Sequence, residues 1–252
     1  MIDVERYLRR IGLTDAVAVD RDGLETLQRA HLTAVPFENL RVAARVGVRT
    51  DLAWSYSKVV EQGRGGWCFE LNGAFGALLE ALGFEVIRIG AAVQLNGPTE
   101  VIDHLTLEVV LDQPYLVDVG FGESFCRPLA LNTRGPQDGG IGEFEFTPSP
   151  RGTTLARLVE GVPEAQFRFK RVALDLKDFE PASQHLQTDE NGFWVQKPFA
   201  TRLLGEGGDR VTLLKDRLKI LRDGVTEETP VGQAEWPSVL LEWFELSPVA
   251  ST

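Results

Sequence analysis

The sequence predicts an α+β fold on three observations. Apolar residues recur at helical spacing through the first third, they alternate at strand spacing from Phe84 onward, and no repeat or low-complexity stretch breaks either pattern. Helices first and strands later place the two kinds of element in separate layers.

Val4, Tyr7, Leu8 and Ile11 form the i, i+3, i+4, i+7 stripe of a first amphipathic helix. Leu24, Leu27, Ala30 and His31 form a second, which stops before Pro36. A third follows Gly65-Gly66, with Leu71, Phe75, Leu78, Leu79 and Leu82 on one spacing and Gly83 as its C-cap.

Strands follow. Glu85–Val93 is the first. In His104–Leu111, Leu105, Leu107, Val109 and Leu111 alternate with His104, Thr106 and Glu108. Asp112-Gln113-Pro114 signals a turn, and Tyr115–Phe121 reads as the returning strand. Gly135–Gly142 reads as loop, Thr154–Leu158 and Gln166–Leu174 as strands, and Val211–Leu221 as strand-prone between turns at Gly207-Gly208-Asp209 and Asp223-Gly224. Leu240–Phe244 closes the chain as a short helix.

Composition limits the function. With 43% apolar and 25% charged residues the chain is an ordinary globular protein. Its net charge of -11 repels phosphate backbones, and no basic run with interleaved aromatics offsets this, so nucleic acid is not an expected partner. A local pocket of backbone N–H groups can still hold a phosphorylated ligand. No apolar run of about 18 residues predicts a membrane span, and Met1-Ile2-Asp3-Val4-Glu5-Arg6 lacks the basic-then-apolar pattern of a leader. Two cysteines, Cys68 and Cys126, read as free thiols in a reducing compartment, so the expected location is cytoplasmic. No Cys/His cluster has metal-ligand spacing, so no metal is expected.

Cys68 opens the third helix directly after Arg64-Gly65-Gly66-Trp67. A thiol there meets the positive end of the helix dipole, an arrangement that favours the nucleophilic thiolate. Taken alone, a lone cysteine is more often a packed core residue. A thiolate nucleophile needs an imidazole, and the chain has three. His31 lies on an apolar helix face and reads as core; His185 has nothing beside it to orient it. His104 stands on the polar face of an apolar strand, which favours it. Asp118 lies inside Leu116-Val117-Asp118-Val119-Gly120, where a carboxylate needs a partner. A tight turn at Asp112-Gln113 sets Asp118 opposite Thr106 or Leu107, a diagonal step of about 7–8 Å from His104. Closing that gap requires a bulge or a leaning ring.

Four segments, Val35-Pro36-Phe37-Glu38-Asn39-Leu40, Arg64–Gly73, His104-Leu105 and Leu116–Gly122, resemble the arylamine N-acetyltransferases in order and spacing. They cover roughly the first half of the chain. The resemblance implies a helical N-terminal bundle (1–84) carrying the nucleophile, a central β-barrel (85–193) carrying histidine and aspartate, and a C-terminal α/β lid (194–252). It further implies a Cys-His-Asp core like that of papain-like proteases and transglutaminases. By the same resemblance Cys68 is the nucleophile, His104 the base and Asp118 the orienting acid. Phe37 and Phe121 fall on substrate-binding positions, Gly122 on a position near the acyl donor, and Glu38 and Arg64 on positions that pair to brace the site. Core packing is the competing reading for Phe37, Glu38 and Arg64.

The implied activity is ping-pong transfer of an acetyl group from acetyl-CoA, a substrate rather than a resident cofactor, to the nitrogen of an arylamine. Two departures bear on the donor. Glu123 stands where the family commonly has a second glycine, and an acid there disfavours a close diphosphate. Thr188–Phe193 stands where the family often carries a Ser-Pro-x-Ser-x-Phe stretch that contributes to coenzyme A binding. These keep open an amide synthase, which takes a polyketide from an acyl carrier protein thioester and closes a macrolactam through an aryl amine; a wide apolar cleft would favour it. A hydrolase or transglutaminase-like enzyme is a third reading, opposed by the Pro36–Leu40 segment.

Overall fold

The computed structural model describes residues 2–205 and 207–249. Its first helices begin where the sequence supplies a carboxylate cap. Helix α1 (Val4–Arg10) starts at Asp3, which accepts the Arg6 N–H at 2.9 Å, and α2 (Arg21–Ala34) at Asp20, which accepts that of Gly23 at 2.8 Å. A two-residue strand, β1 (Phe37–Glu38), and a single turn, α3 (Leu40–Ala43), follow. Helix α4 (Leu52–Tyr56), capped by Asp51, runs into a π-helical turn over Ser57–Glu61. Helix α5 (Cys68–Leu82) ends at Gly83, whose φ of 101° allows the left-handed stop expected there. Arg10 ties these pieces together, donating to the carbonyls of Val59 (3.1 Å), Ala34 (2.9 Å) and Gly63 (3.1 Å).

α5 is buried without interruption from Cys68 to Leu79, because it lies between the other helices and a sheet. Leu71, Phe75 and Leu78 share one apolar core with Leu24 and Leu27 of α2 and with Leu105, Leu107 and Val109 of the sheet. That sheet holds β2 (Glu85–Val93), β3 (His104–Val110), β4 (Pro114–Val117), β5 (Leu129–Ala130), β6 (Gln137–Asp138), β7 (Glu143–Ser149), β8 (Gly152–Val159) and β9 (Val162–Ala173). All pairings are antiparallel, in the order β5-β4-β3-β2-β9-β8-β7-β6. The sheet curls around a second core that includes Ile89, Ala91, Leu116, Phe125, Phe144, Leu155, Phe167 and Phe169. Its edges meet through one side chain: Gln137 on β6 accepts from Ala130 N at 2.8 Å and donates to Ala130 O at 3.0 Å. The result is a nearly closed barrel.

After a 3-10 turn at Leu176–Phe179, α6 (Glu180–Thr188) and α7 (Phe193–Gln196) pack back on the N-terminal helices. Thr50 donates to Glu180 at 2.6 Å, and Gln187 bonds both backbone groups of Val48. Strands β10 (Ala200–Leu203), β11 (Arg210–Leu213), β12 (Arg217–Arg222) and β13 (Val225–Pro230) form an antiparallel sheet whose other edge is β1. Helix α8 (Trp236–Phe244) covers it through Leu240 and Phe244. The fold is α+β, as the sequence predicts.

Three local expectations are corrected. The returning strand stops at Val117 rather than Phe121, because Asp118, Val119 and Gly120 bond to side chains instead of to a ladder. Gly135–Gly142 is not all loop, since it contains β6. The last helix begins at Trp236, with Pro237 in its first turn, earlier than the apolar run at Leu240 suggests. Among the described residues no helix is long and apolar enough to cross a membrane.

Candidate active site

Cys68 is the first residue of α5, and its position is set by the two glycines before it. The Gly65-Gly66 segment runs against β1: Phe37 bridges Gly66, and the Glu38 N–H donates to Gly66 O at 2.8 Å. A Cβ on Gly65 would lie 2.2 Å from Pro36 O, so only glycine permits the approach. From the other side, Gly120 packs on the helix start; a Cβ there would lie 2.7 Å from Cys68 Cα.

His104 opens β3 at the barrel end nearest Cys68 and turns its ring into the barrel. Its Nε2–H donates to Asp118 Oδ2 at 2.6 Å, so the diagonal gap expected from strand register is closed, because Asp118 has left the ladder. Burial alone would push the imidazole down. The Asp118 carboxylate outweighs it by charge and hydrogen bond, the Cys68 sulfur adds to it, and His104 is pushed up to about 10. With Nε2 on Asp118, Nδ1 is the nitrogen left for the thiol. The Asp103 carbonyl lies 4.0 Å from Cys68 Sγ, and the Asp103 carboxylate holds the Val93 N–H at 2.8 Å. All three of Cys68, His104 and Asp118 are 2% exposed.

Asp118 is held on its other side as well. Its Oδ1 accepts from Gly120 N (2.8 Å) and Asn72 Nδ2 (2.9 Å), and its carbonyl from Gln28 Nε2 (3.2 Å). Asn72 was not singled out from the sequence, although a signal exists: it lies four residues after Cys68 and so on the same helix face.

The remaining predicted residues divide. Phe121 meets the His104 ring edge-on, with centroids 5.1 Å apart, and packs on Phe167. Phe37 is buried against Trp194 and Phe199, with Gly122 beside it: a Cβ there would lie 3.2 Å from the Phe37 ring. The expected Glu38–Arg64 pair does not form. Glu38 points inward to Lys58 (Oε1–Nζ 3.6 Å) and accepts from Leu40 N (2.6 Å). Arg64 faces the segment after α8, where it donates to Ser247 O at 3.1 Å. Glu123 is paired with Arg157 at 3.3 Å, and the buried Arg210 guanidinium is near enough to feel its charge, so this acid has counter-charges beside it. Thr188–Phe193 forms the α6–α7 junction; Phe193 meets Trp194 edge-on and Phe199 at a tilt, and through them it reaches Phe37. His31 is a core residue, hydrogen-bonded to Tyr7 at 3.0 Å, and His185 is exposed. Cys126 is buried, and burial pushes its thiol up despite the arginines beside it, Arg29 first among them.

A buried thiol, a charged imidazole and a fixed carboxylate make a site for nucleophilic acyl chemistry. A family model described as N-acetyltransferase matches residues 20–250. The arylamine N-acetyltransferase of Mycolicibacterium smegmatis is 31% identical over 90% of this chain and 85% of its own length. A pineal gland arylamine N-acetyltransferase isozyme of Gallus gallus is 29% identical over 98% of this chain and 94% of its own. Among solved structures, the Mycobacterium marinum arylamine N-acetyltransferase in complex with CoA superposes with a TM-score of 0.88 at 29% identity. That match covers 96% of this chain and 92% of the other. The enzyme from Salmonella typhimurium gives a TM-score of 0.91 at 25% identity, over 96% and 90%.

Proposed function

The chain belongs to the arylamine N-acetyltransferase family, and on that premise we propose that Cys68, His104 and Asp118 carry acetyl transfer from acetyl-CoA to an arylamine nitrogen. The observation that carries the assignment of residues is the Nε2–Oδ2 bond of 2.6 Å, which leaves a charged His104 beside the sulfur.

The Cys68 thiolate attacks the thioester carbonyl of acetyl-CoA. The carbonyl oxygen takes the negative charge, and the Cys68 N–H, which at the first position of α5 has no intrahelical acceptor, donates to it in this reading. Collapse breaks the carbon–sulfur bond to CoA; the departing thiolate takes the proton from His104, leaving acetyl-Cys68 and neutral imidazole. The weakly basic arylamine, uncharged at neutral pH, then attacks the same carbonyl. Its proton passes to His104 and the Cys68 thiolate leaves, restoring the ion pair. Asp118 holds the ring through both half-reactions.

Exposure of only 2% at all three residues, with Phe121 edge-on to His104, supports a small acyl group and a flat acceptor over a polyketide chain and over hydrolysis. The pairing of Glu123 with Arg157 weakens one of the two reasons for preferring a carrier-protein thioester. In this reading residues 1–84 supply the nucleophile, 85–193 the histidine and aspartate, and 194–252 the lid, to which β1 is joined by its pairing with β10. A cytoplasmic location belongs to the same reading and is supported by the free thiols of Cys68 and Cys126.

Two-substrate kinetics test the order of events. Parallel double-reciprocal lines for acetyl-CoA and an aniline are expected; intersecting lines would mean direct transfer without an acetyl-enzyme.

A further inference from the structure

Glu38, Lys58 and Glu70 form a buried charge cluster that the acyl-transfer steps do not use. Lys58 is 2% exposed, Glu38 1% and Glu70 0%. The Lys58 ammonium lies 2.7 Å from Glu70 Oε2 and 3.6 Å from Glu38 Oε1. Glu70 is the third residue of α5, where its Oε2 accepts the Trp67 N–H at 3.2 Å and its Oε1 accepts from Trp54 Nε1 at 2.8 Å. The cluster thus sits at the N-terminus of the helix whose first residue is Cys68.

Lys58 reaches this place through the π-turn. Gln62 N bonds Ser57 O at 2.9 Å, a five-residue step, and the extra residue turns Lys58, Val59 and Val60 inward together. Burying one ammonium with two carboxylates adds little net stability, since desolvation offsets attraction. Two carboxylates near a thiolate at a helix start would oppose the dipole that favours it, and one ammonium offsets one of their two charges.

We propose that Lys58 is a positioning residue for the nucleophile: it offsets part of the negative field of Glu70 and Glu38 at the first turn of α5 and so favours the Cys68 thiolate. Beside Cys68 stand His104 and Asp103, from β3 and the residue before it, with Asp118 from the loop after β4 behind the imidazole; Glu70 of α5, Glu38 of β1 and Lys58 of the π-turn form the cluster at the start of the same helix. Of these six groups, Lys58 and His104 bring the positive charge. This rests on Cys68 being the nucleophile.

The test is the pH dependence of alkylation of Cys68 by iodoacetamide, followed by peptide mass mapping so that Cys126 is read separately. Lys58→Met is expected to move the midpoint up by about one pH unit, so that alkylation slows about tenfold at pH values below the wild-type midpoint and recovers at higher pH. Glu70→Gln is expected to move it down, and the double variant to return it close to wild type. Opposite shifts are a signature that loosened packing does not produce. If Lys58→Met does not fold, Glu70→Gln alone decides: no shift, or an upward one, overturns the proposal. Acetyl label from acetyl-CoA found away from Cys68 would instead remove the nucleophile assignment, which an unshifted alkylation profile would leave intact.

Discussion

Asn72 Nδ2 lies 2.9 Å from Asp118 Oδ1 and 2.6 Å from Leu105 O, while Asn72 Oδ1 accepts the Val119 N–H at 2.9 Å. One side chain, a helical turn behind the nucleophile, therefore fixes both the start of β3 and the loop after β4. His104 and Asp118 project from those two segments. The geometry between helix and barrel is set by this amide, and the free oxygen of Asp118 is left for His104.

Asn72→Ala should lower kcat by about 100-fold while changing the KM for acetyl-CoA little, because it frees the orienting acid without touching the donor. Steady-state kinetics check this. A matching rise in KM with unchanged kcat would place Asn72 in binding instead.

Gly120→Ala should both destabilise and inactivate. The added methyl would sit 2.7 Å from Cys68 Cα and 2.9 Å from Asn72 Nδ2, contacts that force backbone apart at the nucleophile. Overpacking of this kind costs about 1–3 kcal/mol, readable as a lower urea midpoint. Wild-type stability together with wild-type turnover would mean that the loop after β4 yields freely.

His31 should make the protein acid-sensitive. Burial, aided by the charge of Arg10, pushes its imidazole down to about 3, against about 6.5 in an unfolded chain. Between those values the unfolded state takes up a proton that the folded state refuses. His31 thus contributes stability above about pH 6.5, and this is lost as the pH falls toward 3, at up to about 1.4 kcal/mol per pH unit. Urea titrations between about pH 6 and 4 should show a shallower loss for His31→Phe than for wild type; equal slopes would assign the sensitivity to other groups.

Some of this was legible in the sequence because particular residues break their local pattern. Cys68 follows two glycines at a helix start, and Asp118 is an acid in an apolar run, so both call for a partner. What strand register could not give was the 2.6 Å contact, which depends on β4 ending at Val117. The partner of Glu38 was hidden for a different reason. Periodicity assumes 3.6 residues per turn, and the π-turn at Ser57–Glu61 shifts the phase that brings Lys58 inward. The barrel was legible only through the family resemblance, because β5 and β6 meet through the amide of Gln137, which no strand pattern encodes.

The most direct test is intact-protein mass spectrometry after brief exposure to acetyl-CoA with no amine present. One acetyl group on the protein, mapped to the peptide containing Cys68 and absent from Cys68→Ser, is the expected result. Acetylation retained in Cys68→Ser, or no adduct while Cys68 still reacts with iodoacetamide, would contradict an acetyl-Cys68 intermediate formed from this donor.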